Sequence, residues 1–73
     1  RNTQQLRLST LASSGITDVS IESLIEADLI KNSTKKVKVF LDTDSCPKMN
    51  LKGIKTTASV KKLIEDAGGS IEV

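Results

Sequence analysis

The stretch "TTASVKKLIEDAGGSIEV", residues 56–73, carries the clearest structural signal in the chain. Val60, Leu63, Ile64 and Ala67 recur at helical spacing and form one apolar stripe, and Gly68-Gly69 supply a C-terminal stop. The spacing predicts a helix over about 58–67, after which "SIEV" closes as a short strand. Working back, "LKGIK" (51–55) reads as one strand and "DTDSCPKMN" (42–50) as a connection rich in turn formers, including Pro47. In "VKVFL" (37–41), the consecutive apolar residues Val39, Phe40 and Leu41 read as a buried strand. "KNSTKK" (31–36) is a polar loop.

The N-terminal half shows a second amphipathic helix. In "DVSIESLIEADLI" (18–30), Ile21, Leu24, Ile25 and Leu29 share a face, Ser20 is placed to cap, and Glu22 sits in the first turn, where the helix dipole favours an anion. This helix is expected over about 20–28. Before it, "QLRLS" (5–9) alternates like a short strand, and "STLASSG" (9–15) makes one helical turn, opened by Ser9 and closed by Gly15. The order strand, helical turn, helix, strand, strand, helix, strand describes a small α/β domain of short elements with two main helices.

Seventy-three residues leave room for one such domain, spanning 1–73. With Phe40 the only aromatic residue, the core must be built from Ile, Leu, Val and Ala. So small a core is marginal alone, which points to a partner. Cys46 has no second Cys to pair with, and the chain has no His, so neither an internal disulfide nor a four-ligand zinc site is expected, and no cofactor. No apolar run approaches the roughly 20 residues needed to span a bilayer, so a soluble, intracellular protein with no membrane partner is expected.

Charge is unevenly spread. Residues 31–62 carry nine Lys against Asp42 and Asp44, a balance of +7, whereas residues 1–30 hold two Arg against four acids and residues 63–73 hold three acids. A basic centre between acidic flanks suits a polyanion. Within the last helix the charges run against the dipole: Lys61 and Lys62 lie near its start, and Glu65 and Asp66 in its last turn. Pairs at i,i+4 offset part of that cost, in the weaker orientation. A phosphate at the helix start would reverse the preference, gripped by free N–H groups, by the hydroxyls of Thr56, Thr57 and Ser59, and by Lys55, Lys61 and Lys62. The bland alternative is a solvated lysine-rich face.

Asp42 and Asp44 follow an apolar strand, which is the layout of an aspartate-nucleophile phosphotransferase. That chemistry needs a wide parallel sheet, a distal Lys and further acids to hold Mg²⁺, a framework too large for this length. The two acids read instead as the polar turn that ends the strand. Cys46 reads as a small turn or core residue, since a redox role would need a depressed pKa that its neighbours do not supply.

"MNLKGIKTTASVKKLIEDAGGSIEV" (49–73) resembles the C-terminal end of the large-subunit ribosomal protein number 15 family, whose related domain occurs in the archaeal and eukaryotic large-subunit protein number 18. Thr57, Val60, Ile64 and Gly68 occupy the family's motif places, and "VSIESLIEADLI" and "KKVKVF" look like its upstream helix and strand. Val60 stands where the family usually has Ala, and the family's long basic N-terminal arm is not among these residues. The resemblance implies a fold of irregular strand-strand-helix turns and a non-catalytic, structural place in the large ribosomal subunit. It agrees with the charge argument, which makes Lys52, Lys55, Thr56, Thr57, Ser59, Lys61 and Lys62 the expected contacts to large-subunit rRNA, and with one aromatic residue in the chain backbone and shape contacts are expected rather than sequence-specific base reading. Neighbouring ribosomal proteins are further expected partners, with Glu22, Glu26 and Asp28 as the candidate contact, and no small-molecule substrate is expected. The implied location is the ribosome of a bacterium or of an organelle. The alternative is an interaction module of the same fold outside the ribosome.

Overall fold

The protein is described here by a computed structural model covering residues 3–72; Val73, counted above in the closing strand, lies outside the described residues. The elements run β1 (Thr3–Arg7), α1 (Leu8–Ser13), β2 (Asp18–Val19), α2 (Ile21–Glu26), β3 (Lys36–Phe40), β4 (Asn50–Lys52), β5 (Lys55–Thr56), α3 (Ala58–Asp66) and β6 (Ser70–Glu72). Successive strands go to different sheets: β1, β3 and β5 form one, β2, β4 and β6 the other, and every pairing is parallel. This is the small α/β architecture expected.

One hydrophobic cluster joins both sheets and all three helices. Leu6, Val37 and Val39 enter it from the first sheet, Val19 and Leu51 from the second, and Leu8, Leu11, Leu24, Val60 and Ile64 from the helices. Its residues are aliphatic, as expected, except for Met49, which is fully buried at the end of the segment read as turn formers. No Ala belongs to it.

The helix ends follow local chemistry. Ser20 caps α2 by accepting from the Ser23 N–H at 3.1 Å, while the Ser23 hydroxyl accepts from the Ser20 N–H at 2.8 Å. This helix stops earlier than its apolar pattern predicts. Asp28 takes a positive φ of 64°, its N–H donates to the Ile25 carbonyl and that of Leu29 to the Leu24 carbonyl, both at 3.0 Å. These two bonds make a Schellman ending, with Asp in the place glycine usually takes. At α3 the same ending is built with Gly68, where Gly68 N–H reaches the Glu65 carbonyl at 3.0 Å and Gly69 N–H the Ile64 carbonyl at 2.9 Å.

Three other expectations are corrected, and one short strand is added. The strand placed at "QLRLS" begins earlier, at Thr3, and hands over to α1 at Leu8, so Arg7 and not Ser9 is the N-cap. The two-residue β2 is too short to leave a periodic signal. "LKGIK" is not one strand: Gly53, at φ 72°, turns the chain from β4 in one sheet to β5 in the other. And β3 alternates rather than burying a run, with Val37 and Val39 inside, Phe40 half-buried, and Leu41 beyond its end at 45% exposure.

Candidate nucleic-acid interface

Lys55 and Thr56 form β5, the edge strand of the first sheet, and Thr57 follows as the N-cap of α3. The Thr57 N–H donates to the Val39 carbonyl at 3.3 Å, which fixes the helix start against β3. Its hydroxyl oxygen accepts from the Val60 N–H at 3.4 Å, so that oxygen serves the helix itself. No acid lies in the first turn of α3 and no base in its last. Glu65 and Asp66 do sit in the last turn against the dipole, but Lys61 and Lys62 are the fourth and fifth of the nine helical residues, at mid-helix and not at its start as expected.

The seven residues expected to grip phosphate do not form one cluster. Lys55, Thr56 and Lys61 line a shallow depression of about 370 Å³ together with Lys38, Ile54 and Ile71. Three lysines converge there and no acid lines it. Ser59 and Lys62 look into a different groove, shared with Leu41, Asp44 and Asp66. Lys52 lies on the second sheet, in register with Glu72. The separation follows from geometry. Consecutive helix residues such as Lys61 and Lys62 diverge by about 100° around the axis, and Gly53 sends Lys52 and Lys55 to different sheets.

Lys38 joins the cluster without having been singled out as a site residue. Its signal was present in "KKVKVF", where alternation places Lys36 and Lys38 opposite the buried Val37 and Val39. What the chain alone does not give is the register that sets Lys38 beside Lys55.

The other candidates are apart from this depression. Glu22 and Glu26 are exposed on α2, and Asp28 is exposed just beyond it. Asp42 has a structural partner: the Ser9 N–H donates to its Oδ1 at 2.8 Å and the Ser9 hydroxyl to its Oδ2 at 2.6 Å. The end of β3 is thereby tied to the start of α1. These bonds, hydroxyl first and N–H second, hold the Asp42 carboxyl below the ordinary value for an aspartate, and Arg7 adds to the effect against slight burial. Burial pushes the Cys46 thiol up, the opposite of the depressed value a redox role would need.

A pH dependence follows from Asp42. Its folded-state pKa is depressed, so its contribution to stability is complete above the unfolded pKa and is lost as pH falls through the folded one. Asp42→Asn should therefore be less stable than wild type near neutrality, with the gap closing as the pH falls through the acidic range in which the folded carboxyl takes up its proton, below the ordinary aspartate value. Urea titrations of both proteins across that range check it. A gap independent of pH would mean that the contacts to Ser9 act without the charge.

Two comparisons place the chain among known proteins. The family of ribosomal proteins 50S-L15 and 50S-L18e with their 60S counterpart matches residues 4–72. Among individual relatives, the large ribosomal subunit protein uL15 of Psychrobacter cryohalolentis is 43% identical over 70 residues, which cover 96% of this chain and 48% of the relative. The uL15 of Psychrobacter sp. strain PRwf-1 is 35% identical over 97% of this chain and 47% of its own length. That of Xanthomonas euvesicatoria is 44% identical over 75% of this chain and 37% of its own. The chain thus spans about half the length of the curated relatives it matches most fully. The family match covers nearly every residue that forms the two interleaved sheets and their helices, and the chain belongs to this ribosomal protein family.

Proposed function

We propose that the protein bearing this chain is a structural, non-catalytic constituent of the large ribosomal subunit, and that this part of it holds large-subunit rRNA by its phosphates. Family membership supports the setting. The single structural observation that carries the contact is the convergence of Lys38, Lys55 and Lys61 around one open depression without an acid in its lining. Ammonium groups gathered in this way neutralise phosphates and release counterions, which binds RNA by charge and shape. Thr56 borders the same depression. Ser59 and Lys62 lie one helix face away and would meet a second RNA segment, and Lys52 would contribute weakly beside Glu72. Glu22, Glu26 and Asp28, exposed at and beyond α2, are the surface offered to a basic neighbouring protein. The relatives are bacterial, so a bacterial ribosome is the expected location.

Two measurements test this reading. The full-length protein should sediment with the large subunit in a sucrose gradient and wash off only at high salt. Remaining at the top of the gradient at every salt concentration would overturn the ribosomal reading. For the contact itself, Lys38→Gln, Lys55→Gln and Lys61→Gln combined should reduce the slope of log affinity for rRNA against log salt by about 2. An unchanged slope would remove these lysines from the interface.

A further inference from the structure

The outer face of the β1-β3-β5 sheet is a regular array. Register sets Thr3 beside Lys36, Gln5 beside Lys38, Lys38 beside Lys55, and Arg7 beside Phe40. Alternation turns Leu6, Val37 and Val39 inward, leaves Arg7, Lys36, Lys38 and Lys55 exposed, and puts the half-buried Phe40 on their side. None of the three strands contains an acid. Asp42, two residues beyond Phe40, is taken up by Ser9 and felt by Arg7.

The second sheet manages its surface differently. Lys52 stands opposite Glu72, and side-chain hydrogen bonds join Asn50 to Asp18 at 3.4 Å and Ser70 to Asn50 at 3.0 Å. That face satisfies itself. On the first sheet Lys38 and Lys55 are direct cross-strand neighbours of like charge, an arrangement that costs stability. A polyanion lying across the face would turn the cost into attraction.

Phe40 says what kind of polyanion. It is the chain's only aromatic residue, it lies on the central strand of the sheet, and it stands outside the hydrophobic cluster, which is filled without it. Along β3, Lys36, Lys38 and Phe40 follow one another on the same face at steps of about 6.6 Å. A ring on an open sheet, with an Arg beside it and lysines along the strand, offers a stacking surface for a base and cations for the adjoining phosphates. A protein segment rich in acids would use the cations and leave the ring without a role.

We propose that this sheet face docks an unpaired segment of RNA, with one base stacked on Phe40 beside Arg7 and the neighbouring phosphates on Lys36, Lys38 and Lys55. The inference rests on the rRNA-binding reading above and extends it: Lys38 and Lys55 belong to both contacts, and Phe40 with Arg7 and Lys36 adds a single-stranded subsite across the sheet from the depression beside α3. Paired RNA would not serve, because its bases are already stacked inside the helix.

The test measures binding of purified large-subunit rRNA to the full-length protein. Phe40→Leu keeps an apolar side chain but removes the stacking surface, and should weaken binding about 5- to 100-fold with the salt slope unchanged, because no charge is lost. Phe40→Tyr should bind like wild type. Phe40→Trp introduces an indole where these 73 residues have none, and its fluorescence, read against wild type, should be quenched by rRNA. That quenching decides the matter if Phe40→Leu proves too unstable to titrate. Wild-type affinity in Phe40→Leu, or an indole indifferent to RNA, overturns the stacked base. If Lys55→Gln with Lys61→Gln still weakens binding in that case, the phosphate contacts stand alone. Wild-type protein that fails to bind rRNA at all overturns both readings together.

Discussion

Gly69→Ala lowers stability by about 3 kcal/mol, the sum of a severe overpacking cost and a damaged hydrogen bond. A Cβ on Gly69 would be driven into the backbone carbonyl of Met49, with the Cγ2 of Ile64 also only 3.0 Å away. A crowded side chain can rotate away, but a backbone carbonyl in use cannot. That carbonyl accepts the Ser70 N–H at 3.1 Å, and the residues on either side lead directly into the pairing of β4 with β6. Relief therefore requires β6 to move off β4, which also disturbs the Schellman ending held by Gly69 N–H on Ile64. Native domains have only about 5–15 kcal/mol of stability, and one this small sits at the low end. Chemical denaturation of the full-length protein measures the loss. Gly68→Ala is the control. It faces open space, so it carries only the roughly 1 kcal/mol cost of a side chain at positive φ. A loss at Gly69 no larger than that at Gly68 would show that the approach of Met49 does not set the requirement.

The glycine pair also shows how far the chain could be read unaided. Gly68-Gly69 announces a helix end because that end is local: both Schellman bonds fall within six residues. Ser20, the stripe of α3 and the acids of its last turn are legible for the same reason. The need for Gly69 in particular is not, since it comes from Met49, twenty positions away in sequence. β2 fails in the same manner. It consists of two residues whose strand character is conferred by pairing with Asn50 and Leu51. The candidate interface divides along this line too. Alternation in β3 exposes Lys36 and Lys38, but only the parallel register brings Lys38 to Lys55. Sequence neighbours suggested that Lys61 and Lys62 act together, whereas helical rotation sends them to different grooves.

Met49→Ala costs about 2–5 kcal/mol, the range for removing a long buried side chain and leaving a cavity. Leu41→Ala, in contrast, stays within about 0.5 kcal/mol, as expected of an exposed position. Apolar patterning gives the opposite order, because Leu41 continues the run of Val39 and Phe40 while Met49 follows Pro47 and Lys48 among turn formers. The structure reverses it for a reason of connection. From Leu41 to Met49 the chain is irregular, and it must return to the core at a fixed place for β4 to pair with both β2 and β6. Met49 is that point of return, with no exposure and with its own carbonyl bonded to Ser70. Its unbranched side chain can fill a gap left by Leu, Ile and Val, so Met49→Leu should be tolerated at under about 1.5 kcal/mol. Thermal melts of the three variants give the order directly. Should Leu41→Ala prove the more damaging, the connection would have to dock by its first residue, and the register of β4 would then need another anchor. Leu41 lies beyond the last residue of β3 at 45% exposure, a place from which it cannot supply one.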